Sequence, residues 1–231
     1  MTDGKPDAVM MFAAGFGTRM KHLTKDRPKP LLEVAGIALI DHALALVDEI
    51  KPRKIIVNTH FLGNQIADHL CTENITLSPE HPDILDTGGG LKAALPLLGN
   101  GPVITMNTDA IWSGANPLQA LLSSWDPDRM DALLMCIPTQ AVHGHEGPGD
   151  FEVSNDGRIK RGSGVVYGGA QIIKTDALQG VSQRIFSLNL LWNLMQDQQR
   201  LFALVYDGEW CDVGHPGGIA LAEALLRNSD V

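Results

Sequence analysis

Apolar residues in this chain come in two rhythms. Short continuous runs such as Ala8-Val9-Met10-Met11-Phe12-Ala13 and Lys54-Ile55-Ile56-Val57-Asn58 have the pattern of strands buried on both faces of a parallel sheet. Between them the apolar positions recur at helical spacing. Ile40, Ala43, Leu44, Val47 and Ile50 predict a helix over 39–50 that Pro52 brings to an end. Leu62, Ile66 and Leu70 predict a second over 63–70, and a third follows over about 91–98. With short strands expected at 75–77 and 102–107, the first half reads as a β-α-β-α-β series.

The second half predicts a helix over 116–124, a strand over 131–137 and a hairpin. The hairpin runs from Phe151-Glu152-Val153 through the turn Asn155-Asp156-Gly157 into Arg158-Ile159-Lys160. A long strand over 165–173 contains Gly168-Gly169, which points to a bulge or to close approach by a ligand. Leu188, Leu191, Trp192 and Met195 give one core-facing side to a helix over 187–199. A final strand is expected over 201–206, and a closing helix over 218–226 that buries Ile219, Ala222 and Leu225.

Composition narrows the class. At 231 residues the chain accommodates one large α/β domain, or two small ones at a stretch. A hydrophobic content of 44% against 19% charged residues describes a globular protein. The net charge of −9 argues against general nucleic-acid binding, and it requires any site for polyanions to concentrate its cations locally. Cys71, Cys136 and Cys211 are widely spaced and lack metal-site spacing, which favours a reducing compartment. The opening Met1-Thr2-Asp3-Gly4-Lys5-Pro6 has no signal-peptide core, and no apolar run reaches membrane-spanning length. A cytoplasmic protein with no membrane partner is the expectation.

The chemistry concentrates after the first strand, in Ala13-Ala14-Gly15-Phe16-Gly17-Thr18-Arg19-Met20 and in Arg27-Pro28-Lys29-Pro30-Leu31. Two glycines at the C-terminal end of a buried strand let backbone N–H groups approach a phosphate closely. A dinucleotide loop would need a third glycine where Met20 stands, and the Gly-Lys-Ser/Thr of a P-loop is absent. Instead Arg19 can clamp phosphate oxygens, and Lys29 stands between two prolines, which predicts an extended backbone holding one ammonium group still.

This combination resembles the opening of the sugar-1-phosphate nucleotidylyltransferases, close to L-A-A-G-x-G-T-R-M…P-K-P-L, with Phe12 in place of the Leu. The resemblance implies an α/β, Rossmann-like three-layer α/β/α nucleotidyltransferase fold with a mixed, mostly parallel central sheet. It also implies the reaction: a sugar 1-phosphate oxygen attacks the α-phosphorus of a nucleoside triphosphate, and pyrophosphate leaves with Mg²⁺ assistance. Ala14, Gly15, Gly17, Thr18 and Arg19 would hold the triphosphate, and Arg19 and Lys29 would carry catalysis.

Further motifs extend the likeness over residues 9–226. Asp86-Thr87-Gly88-Gly89-Gly90-Leu91 is either a flexible turn or a close backbone approach to ligand; in the family, Gly88 and Gly89 would line the nucleobase pocket. Its form is nearest the subgroup of N-acetylmuramate-1-phosphate uridylyltransferases. Asn107-Thr108-Asp109 stands where the family has N-G-D, with Asn107 at nucleotide and sugar and Asp109 a Mg²⁺ ligand. Position alone leaves Asp109 equally readable as a turn cap. Trp210-Cys211-Asp212-Val213-Gly214-His215 matches W-x-D-V-G-T except at His215, and makes Asp212 the second Mg²⁺ ligand.

Gly149 and Asp150, within a Gly-rich segment expected to be a mobile loop, match a G-D-F whose Asp faces the sugar; Gly169 is placed there too. His143 and His145 on that loop lack the spacing of a zinc site. His60 and His69 read as structural or solvated. The Glu-Lys-Pro that grips the sugar phosphate in many members is missing after the hairpin. No hexapeptide repeats follow, so a single domain over 1–231 without a β-helical extension is expected.

The favoured substrates are therefore UTP and N-acetylmuramate 1-phosphate, in cell-wall sugar recycling, for a monomer or small homo-oligomer. A mannose-, glucose- or heptose-1-phosphate guanylyl- or thymidylyltransferase is the alternative within the class. A catalytically silent nucleotide-sugar sensor is the alternative outside it.

Overall fold

The continuous apolar runs become the middle of one sheet. A computed structural model of the protein describes residues 4–71 and 74–229; Met1, Thr2 and Asp3 of the polar opening lie outside the described residues. The first half forms β1 (Ala8–Phe12), the short pair β2 (Glu33–Val34) and β3 (Ile37–Ala38), and α1 (Leu39–Ile50). Then come β4 (Lys54–Thr59), α2 (Gly63–His69), β5 (Ile75–Pro79), α3 (Asp86–Leu98) and β6 (Val103–Asn107). The second half begins with β7 (Ala110–Ser113), α4 (Pro117–Ser124), β8 (Ala132–Pro138), β9 (Val142–His143), β10 (Phe151–Val153) and β11 (Ile159–Arg161). It ends with β12 (Val165–Ile173), α5 (Asn189–Asp197), β13 (Leu201–Val205), β14 (Glu209–Asp212) and α6 (Pro216–Ser229).

Strands β6, β1, β4 and β5 lie side by side, all parallel. On the other side β12 joins β6 antiparallel, β8 joins β12 antiparallel, and β13 joins β8 parallel. The hairpin β10–β11 attaches to β12 at Val165. Followed through these pairings, only β11 and β12 run against the other seven strands of the nine-stranded sheet. The sheet is thus mixed, and parallel at its core.

Both faces are covered, which is why β1 reads as an unbroken apolar run. Val9 and Met11 pack with Ile40, Ala43 and Val47 of α1 and Leu118 and Leu121 of α4. Ala8 and Met10 pack on the opposite side with Leu91, Ala94 and Leu98 of α3 and Leu191, Trp192 and Met195 of α5. A third cluster, with Met20, Leu39, Ile111, Cys211, Ala222 and Leu225, fastens α6 to a small sheet in which β14 lies between β7 and β9. Among the described residues no helix is long and apolar enough to cross a membrane, and the three cysteines are free.

Four local expectations change. Helix α3 begins at Asp86, so Gly88, Gly89 and Gly90 are its buried first turns and not a loop before it. Lys29 lies in a 3₁₀ turn, stabilised by the Leu31 and Leu32 amides donating to Pro28 and Lys29 carbonyls; the extended residue is Pro28. The segment expected as a loop from His143 opens as a strand, β9, running parallel to β14. Finally β13 is not the last strand. Glu209–Asp212 pairs with β7 and β9, so Asp212 ends a strand of its own. The expected bulge is present: the register of β12 on β8 slips between Tyr167 and Gln171.

Candidate active site

The two glycines after β1 are needed for different reasons. Gly17 has φ 63°, and a Cβ there would stand 2.9 Å from Lys29 Cβ and 3.0 Å from Thr24 Cγ2. Its carbonyl accepts hydrogen bonds from the Met20 amide and from Thr24 Oγ1, each at 2.9 Å. Gly17 is therefore required by the packing of the loop against the Lys29 segment. Gly15 has nothing within 4 Å of an added Cβ, so its bare backbone borders open space. The Ala13 amide at the loop's root donates to Asn58 Oδ1 at 2.8 Å, which joins the end of β1 to the end of β4.

Lys29 is almost wholly buried, and its Nζ pairs with Asp109 Oδ2 at 2.7 Å. Asp109 stands two residues past the end of β6. Thr108, the departure from N-G-D, is buried and its Oγ1 donates to the Phe12 carbonyl at 2.8 Å. The extra hydroxyl thus clips β6 to β1. Asp212 arrives from the far end of the chain because β14 pairs with β7 in the register Asp212 opposite Ala110. The Val213 amide donates to the Asp109 carbonyl at 3.0 Å, which fixes the two acidic segments together.

The Asp212 carboxyl titrates above the ordinary carboxylate value, through burial first and then the negative charge of Asp109; Lys29, Arg19 and His145 act in the opposite direction. Arg19 is exposed, with Nη1 3.8 Å from Asp212 Oδ2. Gly214 leaves just enough room for this pair, since a Cβ there would lie 2.5 Å from Asp212 Oδ2 and 2.9 Å from Arg19 Nη1.

A cleft of about 320 Å³ opens at the C-terminal ends of β1, β4 and β6. Ala14, Gly15, Gly17, Thr18, Arg19, Lys29, Asn107 and Asp109 all border it, with Gly214 beside Asp212. Two carboxylates held near each other in partial burial form a site that a hard divalent cation would relieve, and oxygen donors suit Mg²⁺. Among the described residues no cluster of three or more His, Cys, Asp or Glu side chains gathers into a fuller cage.

The remaining expected residues lie elsewhere. Gly88 and Gly89 face protein, not the cleft: a Cβ at Gly88 would meet the Phe186 ring at 2.5 Å, and one at Gly89 the Arg184 carbonyl at 2.4 Å. Asp86 and Thr87, just before them, border the cleft instead. Asp150 accepts the Tyr167 amide at 2.8 Å on Oδ2 and so braces the bulge. Gly149 packs on Gly164, and Gly169, at φ 87°, leaves room for Asn107, whose Nδ2 would stand 2.8 Å from a Cβ. None of the three borders the cleft, although Gly169 shapes it through Asn107.

Two cleft residues, Asn58 and Glu80, were not singled out from sequence. Glu80, buried after β5, accepts Asn58 Nδ2 and the Leu85 amide, each at 2.7 Å, and both Glu80 and Asn58 border the cleft. Polar residues at the ends of apolar strands were the available signal. His145 acts electrostatically on Asp212 because Gly144 packs against the Asp212 carbonyl, a proximity only the β9–β14 pairing creates.

Residues 9–179 match the MobA-like NTP transferase domain. The chain is 39% identical to N-acetylmuramate alpha-1-phosphate uridylyltransferase of Caulobacter vibrioides, over 97% of this chain and 98% of the relative. It is 31% identical to the protein of the same name from Neisseria meningitidis, over 94% and 97%. Among solved structures it resembles a putative glucose-1-phosphate thymidylyltransferase from Bacillus anthracis, with TM-score 0.81, 17% identity and coverage of 96% and 95%. It also resembles HddC of Yersinia pseudotuberculosis solved with GMP-PN, with TM-score 0.75, 20% identity and coverage of 94% and 98%. At those identities the two structures speak to the fold alone, and it is the fold described above. By family match and by full-length relatives alike, the chain belongs to the MobA-like NTP transferases.

Proposed function

We propose that this protein transfers the uridylyl group of UTP to N-acetylmuramate 1-phosphate, giving the UDP-sugar and pyrophosphate for cell-wall sugar recycling. The enzyme class, sugar-1-phosphate nucleotidylyltransferase, rests on family and relatives. One structural observation supports the chemistry: Arg19, Lys29 and Asp109 line one cleft from three separate segments, and Asp212, from a fourth, stands 3.8 Å from Arg19 behind Gly214.

In this reading the sugar phosphate oxygen forms a bond to the α-phosphorus while the bond to the β-phosphate oxygen breaks, and pyrophosphate leaves with that electron pair. A phosphate monoester is already a nucleophile near neutral pH, so no side chain need remove a proton. The chain's task is to bring two polyanions together and hold them in line. The bare backbone around Gly15 accepts the triphosphate, Arg19 reaches it from the rim, and Lys29 is held by Asp109 where charge develops during transfer. Asp109 and Asp212 would hold Mg²⁺, which supplies Lewis-acid charge stabilisation when bound. The 231 residues act as one catalytic unit in the cytoplasm, as a monomer or small homo-oligomer.

The test is pyrophosphate release from four nucleoside triphosphates, each paired with several sugar 1-phosphates, with and without Mg²⁺. UTP with N-acetylmuramate 1-phosphate should dominate, and chelation of divalent ions should abolish release. Preference for GTP or dTTP with a hexose or heptose 1-phosphate would replace this reading with its neighbour. Tight nucleotide binding without release from any pair would leave a sensor.

A further inference from the structure

The cleft spends Arg19 and Lys29 on the phosphates, yet N-acetylmuramate carries a further anion, the carboxylate of its lactyl ether. We propose that Arg161 recognises this carboxylate, and so selects an acidic amino sugar over its neutral counterpart; the proposal rests on the substrate reading above.

Arg161 ends β11 opposite Phe151, which in turn pairs with Val165 at the start of β12. That places it at the same end of the sheet as the cleft. Its guanidinium is held in place by several groups. Cζ stands 4.6 Å from the centre of the Phe151 ring and 5.4 Å from that of Trp192, and Nη2 donates to Asn189 Oδ1 at 2.5 Å. The Arg161 amide donates to Gln196 Oε1, so α5 braces backbone and side chain together. Stacking on aromatic faces with one amide partner orients a guanidinium while leaving other donors free.

Among the described residues Arg161 makes no ion pair, although it is exposed. Asp150 acts on it electrostatically but lies beyond contact, and its Oδ2 is taken by the Tyr167 amide. Lys160, the neighbouring cation, pairs with Glu152 at 2.9 Å. The connection to the cleft is short: Asn189 follows Leu188, whose amide donates to Thr87 Oγ1, and Thr87 borders the cleft. A planar, pre-oriented guanidinium without an ion-pair partner, linked to the Thr87 side of the cleft through Asn189 and Leu188, suits bidentate capture of a carboxylate. It also stands after the hairpin, where the Glu-Lys-Pro is missing. The competing assignment is therefore capture of the sugar's phosphate, which acidic and neutral sugars share.

The experiment measures kcat/KM for N-acetylmuramate 1-phosphate and for N-acetylglucosamine 1-phosphate, with UTP, in the wild-type protein and in Arg161→Gln and Arg161→Lys. Arg161→Gln should cut the selectivity ratio for the acidic sugar by about 10- to 100-fold, mostly through KM of that sugar. Arg161→Lys should recover part of the ratio, since a point charge replaces the fork. The apparent KM for UTP and the thermal midpoint report whether the fold is intact. Equal losses on both sugars would assign Arg161 to the common phosphate and overturn the proposal, as would an unchanged ratio in a well-folded variant. A wild-type protein that prefers neutral sugars would instead sink the substrate reading, and the role of Arg161 with it.

Discussion

Lys29 is the residue whose environment most restricts what can replace it. Its ammonium is buried against Asp109 at 2.7 Å, and its Cβ lies against Gly17. Lys29→Ala should lower kcat far more than it raises the KM for the triphosphate, each tenfold loss being about 1.4 kcal/mol of transition-state stabilisation. Lys29→Arg should not restore activity, because a planar fork cannot reproduce the contact that a compact ammonium makes with Asp109 at 2.7 Å. Near-normal turnover in the alanine variant would remove Lys29 from the mechanism. The two acids allow a second prediction. Asp109→Asn and Asp212→Asn should each cost roughly a thousandfold in Mg²⁺-dependent turnover. If both hold one ion, the double variant should be little worse than either single one. Losses that multiply in full would show that the acids work independently.

Among the elements, β1 and β6 are held in register at their functional ends by a side chain. Thr108, itself buried, donates its hydroxyl to the carbonyl of half-buried Phe12. Thr108→Val keeps the shape and removes the donor from the partly buried Phe12 carbonyl. It should cost about 1–3 kcal/mol in urea unfolding and loosen the Asp109 segment. An unchanged unfolding midpoint would show that the clip is incidental. The helices and strands themselves were largely legible, because α1 and β12 declare their periods over a full face. The glycines of α3 were not. A Gly-Gly-Gly run looks like a loop, but here it lets the helix approach Phe186, Arg184 and Glu80 within distances no side chain permits. Nothing local in the sequence announces a neighbour that arrives about a hundred residues later.

In the whole molecule, the antiparallel half of the sheet is tied at its base by Asp131. Its Oδ1 takes Lys174 Nζ at 2.9 Å and Arg200 Nε at 2.8 Å, drawing together the segments around β8, β12 and β13. Burial alone would raise this carboxyl, but hydrogen bonds and charge from Arg200 and Lys174 outweigh it and hold it below its ordinary value of 3.8. A carboxyl with a lowered folded pKa stabilises the fold above its unfolded value, and that stability is lost as pH falls through the folded value. Asp131→Asn should thus destabilise the protein at pH 7 by about 1–2 kcal/mol, allowing for partial exposure. The difference from wild type should shrink once the pH drops below 3.8. A difference that stays constant down to low pH would mean that packing, not charge, is responsible.

The amino-acid order by itself determined the alternation of strands and helices, the buried parallel core and the glycine loop after β1, because hydrophobic period and glycine placement act over a few neighbouring residues. It also marked Arg19, Lys29, Asp109 and Asp212 as candidates. Only the tertiary structure decided their partners. The ion pair of Lys29 with Asp109 depends on β6 lying beside β1, and the arrival of Asp212 on β14 pairing with β7, long-range registers that no local pattern encodes. The same holds for Asp150, whose carboxylate braces the β12 bulge, and for Arg161, which becomes a poised cation only when Phe151, Trp192 and Asn189 close around it. Periodicity reports which face of an element is buried; which groups meet there follows from packing, where chain separation carries no weight.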